Sequence, residues 1–218
     1  MSGRRALSLY RNMKLRTQAH TRLRWWWCPF PAIEAEVPVD GDVLEVGCGH
    51  GVLSLYLALE KPGRRVTGVD IDMDKISAAG RAAGGLHTGE AAVRFETVDP
   101  GYRPAGEWDA IVIADVLYLL PEAEQRALLG AAASALRPRG RLVVKEVGTT
   151  PQWKARWNRF QETLATGFFS ITDSTGDGLS FVDPEQMQGW LADDGLDVTG
   201  RAIDHGYPWP HYIIVATR

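Results

Sequence analysis

Three glycines at every second position, Gly47, Gly49 and Gly51, separate two apolar runs of this chain. The run before them, Val43–Val46, is typical of a buried parallel strand, and residues 52–59 after them predict a helix. A strand, a glycine turn and a helix N-terminus together present backbone N–H groups to a ligand. Glycines suit such a turn because a Cβ would block a close approach and because the turn can require a positive φ. The alternative is a tight strand–helix turn that binds nothing.

The glycine spacing indicates which class of ligand this turn could bind. A dinucleotide fingerprint has the spacing G-x-G-x-x-G, whereas here Val52 stands at the position of the third glycine. The turn is therefore not expected to hold a pyrophosphate, which counts against a nicotinamide oxidoreductase. Glu45, two residues before the first glycine, could pair with an ammonium group at the mouth of the predicted cleft.

The pattern E-x-G-x-G-x-G, made of Glu45, Gly47, Gly49 and Gly51, resembles the first motif of the class I S-adenosylmethionine-dependent methyltransferases. The resemblance implies that this loop, including Cys48, lies against the amino acid part of S-adenosylmethionine. It also implies an α/β fold, a Rossmann-like doubly wound sheet of seven mostly parallel strands with a C-terminal antiparallel strand. The matching strand-end motifs span residues 41–147.

The second predicted strand, residues 65–72, ends in acids. Asp70 lies 19 residues beyond Gly51, about where an α/β nucleoside site places a carboxylate on the ribose hydroxyls. The alternative for Asp70 is a helix N-cap, a role that Asp72 could fill equally well. The resemblance adds that Ile71 packs on the face of the adenine.

Further site residues follow the third and fourth predicted strands, 93–98 and 108–114. Asp99 resembles the family's adenine contact, although Asp-Pro-Gly is also strong turn chemistry. The resemblance places Asp115 in the cofactor site and Tyr118 where the family often contacts its acceptor. The tetrapeptide from Ala114 is not the Asn/Asp-Pro-Pro-aromatic signature of enzymes that methylate DNA bases, so DNA is not expected as a partner.

A general base is needed only if the acceptor is a poorly ionised hydroxyl, and histidine is the first candidate. Of the five histidines, His205 is favoured over His211 because the loop 204–207 can face the acceptor pocket. The alternative is that His205 is an ordinary surface histidine. No nucleophilic Ser/His/Asp arrangement and no metal-ligand cluster is recognisable, so no metal is expected.

Length and composition indicate one globular domain, or one domain with an appendage: 218 residues, 45% apolar and 23% charged. No run reaches the ~18 apolar residues of a membrane-spanning helix, and the N-terminus lacks the apolar core of a signal peptide. Cys28 and Cys48 stand in no metal-ligand pattern, which favours a reducing cytoplasm. The expected location is therefore cytoplasmic, with peripheral contact to the inner membrane surface as a variant.

Charge is unevenly distributed along the chain. Residues 1–33 contain seven Arg or Lys and no acid, and subtracting this +7 from the net −3 leaves about −10 for the rest. We interpret 1–33 as a basic, Trp-rich helical arm and 34–218 as the methyltransferase domain, with a lid insertion at about 150–182. For residues 4–27 the hypotheses are packing across the cofactor cleft, contact with an anionic membrane surface, or docking of an acyl carrier protein. RNA is the least favoured partner.

Together these patterns predict an S-adenosylmethionine-dependent methyltransferase that acts on a small, apolar, lipid- or polyketide-like acceptor, most often at oxygen. The alternative is a protein that binds the cofactor without catalysis and docks on a membrane surface or an acidic partner.

Overall fold

The computed structural model describes residues 2–147, 179–207 and 210–218. Its seven strands form one sheet in the order β3-β2-β1-β4-β5-β7-β6. The strands are β1 Asp40–Val46, β2 Gly63–Asp70, β3 Ala92–Thr97, β4 Trp108–Ala114, β5 Leu136–Val147, β6 Asp197–Ala202 and β7 His211–Thr217. Strands β1 to β5 pair in parallel, and β7 is antiparallel to both β5 and β6. The fold predicted from the sequence is confirmed.

Helices cover both faces of this sheet. They are α1 Ser2–Ser8, α2 Leu15–Trp27, α3 Phe30–Glu34, α4 Val52–Glu60, α5 Met73–Ala83, α6 Glu122–Ser134 and α7 Pro184–Asp193, with a 3₁₀ turn at Leu117–Leu119. The sequence also predicts a helix over residues 151–169 and a loop over 175–178. Both of these, and most of the predicted lid, lie outside the described residues.

Two apolar clusters, one on each face of the sheet, form the core. Successive residues of a strand point to opposite faces, so Val43 packs into one cluster and Leu44 into the other. The first cluster receives Leu55 of α4, and the second receives Leu128 of α6 and Leu191 of α7. Burial on both faces explains why the central strands are almost continuously apolar in sequence.

The N-terminal helices pack against the sheet domain. Ala6 and Tyr10 are 0% and 1% exposed and belong to the same apolar cluster as helix α4. The Arg5 guanidinium donates to both carboxylate oxygens of Glu90, at 2.6 and 2.8 Å. The basic arm is therefore held to the domain at its first helix.

The start of β5 differs from the sequence-based expectation. The pattern predicts a helix reaching Leu136 and a turn closed by Gly140, but both residues belong to the strand Leu136–Val147. Leu136 pairs with Trp108 of β4, and the Gly140 carbonyl accepts from the Arg218 N–H at 3.1 Å. These non-local pairings extend the strand over residues whose local sequence favours a turn.

Candidate active site

The glycine loop lies where the strand order reverses between β1 and β4, the position at which open α/β sheets bind ligands. Gly47, Gly49 and Gly51 have φ values of +73°, +54° and +76°, all in the left-handed region. The N–H groups of Gly47 and Cys48 donate to the Val69 carbonyl at 2.8 and 3.0 Å, which ties the loop to the end of β2.

The three glycines have different surroundings. A Cβ on Gly47 would lie 2.3 Å from Val116 Cγ2, and one on Gly51 would lie 2.5 Å from Phe95 Cε1. A Cβ on Gly49 would meet nothing nearer than Lys75 Cδ, at 4.0 Å. Gly47 and Gly51 are therefore needed for close packing, whereas Gly49 leaves its backbone open on the side where a ligand could lie.

Asp70 and Asp72 divide the two roles that the sequence leaves open. The Gly49 N–H donates to Asp70 Oδ2 at 2.7 Å, and the Asp72 N–H donates to Asp70 Oδ1 at 2.9 Å. Asp72 is the N-cap of α5 and accepts from the N–H groups of Asp74 and Lys75, both at 3.0 Å. Asp70 therefore does not cap the helix, and its carboxylate lies directly against the open glycine.

Glu45 is buried beneath the loop, with 2% of its surface exposed. The Ser54 hydroxyl of α4 donates to Glu45 Oε2. Burial raises the pKa of Glu45 to about 7, although the hydrogen bond from Ser54 and the charge of Arg24 oppose this shift. Cys48 is also buried, and burial raises the pKa of its thiol far above the ordinary value, so it is not a reactive thiolate.

Asp115 follows β4 and has an unusual backbone and two cationic partners. Its φ is +59°, and its N–H donates to the Lys145 carbonyl at 2.9 Å. Its carboxylate pairs with Lys145 Nζ and lies 3.1 Å from Arg24 Nη1. Burial acts to raise the pKa of Asp115, but the two cations outweigh it and hold the pKa below the ordinary value. The carboxylate is thus an anion fixed between a buried lysine and a partly exposed arginine.

Glu146, next to Lys145 in β5, binds the backbone that directly follows Asp115. Its Oε1 accepts from the N–H groups of Val116 and Leu117, at 3.1 and 2.9 Å. Burial and the charge of Asp115 raise the pKa of Glu146 to about 8. Sequence reasoning missed Arg24, Lys145 and Glu146, although charged residues at the end of the apolar strand β5 were a usable signal.

The N-terminal arm reaches the site at three points. The Tyr10 hydroxyl donates to the His50 carbonyl of the glycine loop at 2.5 Å, and Arg24 Nη2 donates to the Ala114 carbonyl at 2.9 Å. The rings of His20 and His50 lie 4.6 Å apart. A cavity of about 1020 Å³ lies between this arm and α5, next to the loop. The arm thus contacts the glycine loop and the end of β4.

The proposed acceptor-side residues occupy contrasting places. Tyr118, in the 3₁₀ turn, stacks on Phe181 at 5.7 Å, and burial raises its pKa. His205 is exposed in a turn in which the Tyr207 N–H donates to the Asp204 carbonyl at 2.9 Å. Among the described residues, no hydrogen bond or ion pair joins His205 to Asp115 or to its cationic partners.

His211, the other C-terminal histidine, lies inside the protein at the start of β7. It is 5% exposed and is paired in register with Val147 of β5. Its imidazole lies beside the Trp27 backbone, and at least one ring nitrogen has no hydrogen-bond partner among the described residues. Burial and the charge of Lys145 lower the pKa of His211 to about 4, so the ring is neutral at physiological pH.

Ile71 and Asp99 lie at the ends of β2 and β3. Ile71 is 57% exposed, which is more than most large apolar residues of the described chain. Asp99 is exposed, and its carbonyl accepts from the Tyr102 N–H at 3.1 Å, as the turn chemistry predicts. Both residues stay predictions for the adenine side of the site.

Within the described ranges, no group of three or more His, Cys, Asp and Glu residues could hold a metal ion. Over the same part of the chain, no helix is long and apolar enough to cross a membrane.

Comparison with known proteins identifies the kind of domain to which this geometry belongs. The profile of the family described as "Methyltransferase domain" matches residues 30–200. The S-adenosyl-L-methionine-dependent Diels-Alderase of Talaromyces variabilis is 31% identical over an alignment of 144 residues, and the match covers 59% of this chain and 48% of that protein. This chain therefore spans about half the length of that curated relative.

Solved structures have the same fold. The magnesium protoporphyrin IX methyltransferase of Synechocystis PCC 6803, with bound SAH, gives a TM-score of 0.70 at 22% identity, over 98% of this chain and 93% of that one. An O-methyltransferase family protein of Burkholderia thailandensis gives a TM-score of 0.71 at 19% identity, over 97% of this chain and 61% of that one. The resemblance stated from the glycine motif is confirmed.

Proposed function

Because this chain belongs to the methyltransferase domain family, we propose that it transfers a methyl group from S-adenosylmethionine to an oxygen atom of a small, apolar or lipid-like acceptor. The observation that carries the proposal is the contact between Asp70 and Gly49. There a carboxylate lies 2.7 Å from a backbone N–H in the one loop glycine that has open space beside it.

The described residues fit this cofactor. Asp70 offers carboxylate oxygens beside an open backbone, the arrangement needed for two ribose hydroxyls. The exposed Ile71 offers an apolar surface for the adenine, with Asp99 as the acceptor for its amino group. At the other end of the loop, Arg24 and Asp115 offer opposite charges for the zwitterionic amino acid part. The Glu45 carboxylate is occupied by the Ser54 hydroxyl, so it links the end of β1 to helix α4.

When bound, S-adenosylmethionine supplies a methyl group on a sulfonium that needs no activation by the protein. The chain's own residues then have to position the acceptor and exclude water. Helix α2 contributes by covering the end of β4, where Arg24 contacts both Asp115 and Ala114. Tyr118, stacked on Phe181, offers an aromatic wall that suits an apolar acceptor.

For the proton of a hydroxyl acceptor, His211 is the better candidate than His205. A neutral imidazole with an unused nitrogen can accept a proton on that nitrogen; burial and the charge of Lys145 oppose the resulting imidazolium, and the Asp115 carboxylate offsets part of this effect. His205 is an exposed turn residue, so its role as the base stays a prediction.

A second candidate function is cofactor binding without methyl transfer. The relative from Talaromyces variabilis is described as a Diels-Alderase that depends on S-adenosyl-L-methionine, so this type of domain can serve a different reaction. If the protein binds the cofactor but catalyses no reaction, it would act as an accessory protein whose residues 4–27 contact a membrane surface or an acidic acyl carrier protein. In either version we place the protein in the cytoplasm.

The test is a calorimetric titration of S-adenosylhomocysteine into the wild type, Asp70→Ala and the control Asp74→Ala. Asp74 is an exposed acid in the first turn of α5, and its side chain has no hydrogen bond or ion pair with a described residue. We expect micromolar binding by the wild type and the control, and at least ten-fold weaker binding by Asp70→Ala, equivalent to ~1.4 kcal/mol. A folded wild type that does not bind would refute the proposal.

Release of S-adenosylhomocysteine from S-adenosylmethionine, measured across a panel of hydroxylated apolar compounds, then separates the two functions. Turnover with any hydroxyl acceptor supports methyl transfer to oxygen. Cofactor binding without turnover across the panel supports the second candidate.

A further inference from the structure

The outward face of helix α2 combines two apolar side chains with positive charge. Leu15, Ala19, Arg22 and Trp26 are all exposed and follow one another at helical spacing. Leu15 is 83% exposed and Trp26 76%, the highest values among the large apolar residues of the described chain. They stand eleven residues apart, which is about 16 Å along the helix axis. We call these four residues the α2 outer face.

The opposite side of α2 is fixed to the domain, so the outer face has a defined orientation. Thr21 is 1% exposed. The Trp25 ring meets Phe30 and Tyr56 edge-on, at 5.5 and 5.0 Å. With Arg24 bound to Asp115 on the inner side, Leu15 and Trp26 cannot turn inward without breaking these contacts.

The charge around this face is positive and not neutralised. Two of the arm's seven basic residues are used internally, because Arg5 pairs with Glu90 and Arg24 with Asp115. The other five are exposed and form no ion pair with a described residue: Arg4, Arg11, Lys14, Arg16 and Arg22. No acid occurs among residues 1–33.

We propose that the α2 outer face docks on the surface of a bilayer that contains anionic phospholipids. Tryptophan and leucine enter the interfacial region of a bilayer, while Arg and Lys on the same helix attract its negative headgroups. A convex helix face with two apolar residues far apart offers no groove for a protein partner. A fluid bilayer requires no groove, so charge and amphipathic side chains are sufficient there.

This docking would place the methyl-transfer site close to a lipid-like acceptor, and in that respect it rests on the proposed function. Arg24, on the inner side of α2, contacts the residues at the carboxyl end of β4. The same short helix therefore has one side at the site and the other at the membrane.

The test is co-sedimentation of the full chain with phosphatidylcholine vesicles that contain 0 or about 30% phosphatidylglycerol. We expect binding to the anionic vesicles, weak binding to the neutral ones, and loss of binding at high salt. The double variant Leu15→Ser/Trp26→Ser should bind at least ten-fold more weakly, as should Lys14→Gln/Arg22→Gln. Val39→Ser is the matched control, because Val39 is 63% exposed but lies outside the arm.

The affinity for S-adenosylhomocysteine, measured in every variant, reports whether each one is folded and keeps its cofactor site. Equal vesicle binding by the wild type and the Leu15/Trp26 variant would overturn the docking proposal, as would equal binding to neutral and anionic vesicles. Binding to an acidic carrier protein but not to vesicles would also overturn it. A wild type that binds S-adenosylhomocysteine but no vesicles contradicts the docking alone, whereas the reverse result contradicts the proposed function alone.

Discussion

Arg24 Nη1 of helix α2 lies 3.1 Å from Asp115 Oδ2 at the end of β4, and Lys145 of β5 pairs with the other carboxylate oxygen. Three elements that are far apart in sequence thus meet at one carboxylate. Asp115 takes a φ of +59°, a strained value for a residue with a side chain, and two cations hold it there. This cluster joins the N-terminal arm to the point where the strand order reverses.

Replacing Asp115 should cost more stability than replacing either of its partners. Asp115→Asn leaves the buried Lys145 and the partly exposed Arg24 without their anion, and we expect a loss of about 3 kcal/mol in the free energy of unfolding. Lys145→Met should cost less, because Arg24 still pairs with the carboxylate. Urea unfolding measures both losses. Arg94→Gln, which breaks an exposed ion pair, is the control and should change stability by less than about 1 kcal/mol.

The two glycines Gly49 and Gly51 should respond differently to alanine. Gly51→Ala adds a Cβ 2.5 Å from the Phe95 ring at a positive φ, so we expect several kcal/mol of destabilisation, measured by thermal unfolding. Gly49→Ala has open space beside it and should lose only ~1–2 kcal/mol, the cost of the left-handed backbone. Its larger effect should be on S-adenosylhomocysteine affinity. Equal loss of stability in the two variants would contradict the division of roles between these glycines.

Glu45 should make the protein less stable as the pH rises. Its pKa is about 7 in the folded state and 4.5 in its ordinary state, so the folded protein binds the proton more tightly between these values. The free energy of unfolding then falls from about pH 4.5 to about pH 7, by up to ~3 kcal/mol at 1.36 kcal/mol per pKa unit. Glu45→Gln stays neutral and should lack this fall. Chemical unfolding at pH 5 and pH 8 measures the difference between variant and wild type, which should grow with pH.

His211 should contribute to acid sensitivity with the opposite sign. Its pKa is lowered from 6.5 to about 4, so the unfolded chain binds the proton more tightly, and stability falls as the pH drops from about 6.5 to about 4. His211→Gln should lose less stability over this interval than the wild type. His205→Gln is the control, because it removes an exposed histidine and leaves the buried His211 in place. If the free energy of unfolding falls equally in the wild type and His211→Gln between about pH 6.5 and pH 4, His211 is not a buried neutral imidazole.

Tyr10→Phe should weaken cofactor binding from a distance. The variant keeps the buried ring but loses the hydrogen bond from the hydroxyl to the His50 carbonyl of the glycine loop. We expect a stability loss of about 1 kcal/mol and a several-fold weaker affinity for S-adenosylhomocysteine. Tyr56→Phe is a matched control, because Tyr56 lies in the same apolar cluster and its hydroxyl has no hydrogen bond to a described residue. An unchanged affinity in Tyr10→Phe would mean that the arm does not tune the loop.

The sequence by itself determined the features whose causes are local. The strand, the glycine loop and the helix around Gly49 occupy one continuous stretch, so periodicity and glycine spacing are sufficient to predict them. Asp70 follows from the same logic, since parallel strands end at a common edge of the sheet. The sequence also narrowed the N-cap of α5 to Asp70 or Asp72, and the structure assigns it to Asp72.

Only the tertiary structure decided the features that depend on distant neighbours. The three loop glycines look alike in sequence, but Val116 and Phe95 pack against two of them and leave Gly49 open. Likewise His205 and His211 are only six residues apart in sequence, yet pairing with β5 buries only His211.

Charge shows the same division most clearly. Composition identified the basic arm, but it could not show that Arg24 lies inward on Asp115 while Arg22, two residues earlier, faces outward. A helix turns about 100° per residue, so two neighbouring arginines can have opposite fates once the helix packs on the domain. The packing of the helix on the domain sets the ion-pair partner, the burial and the pKa of each arginine, and the local sequence does not determine that packing.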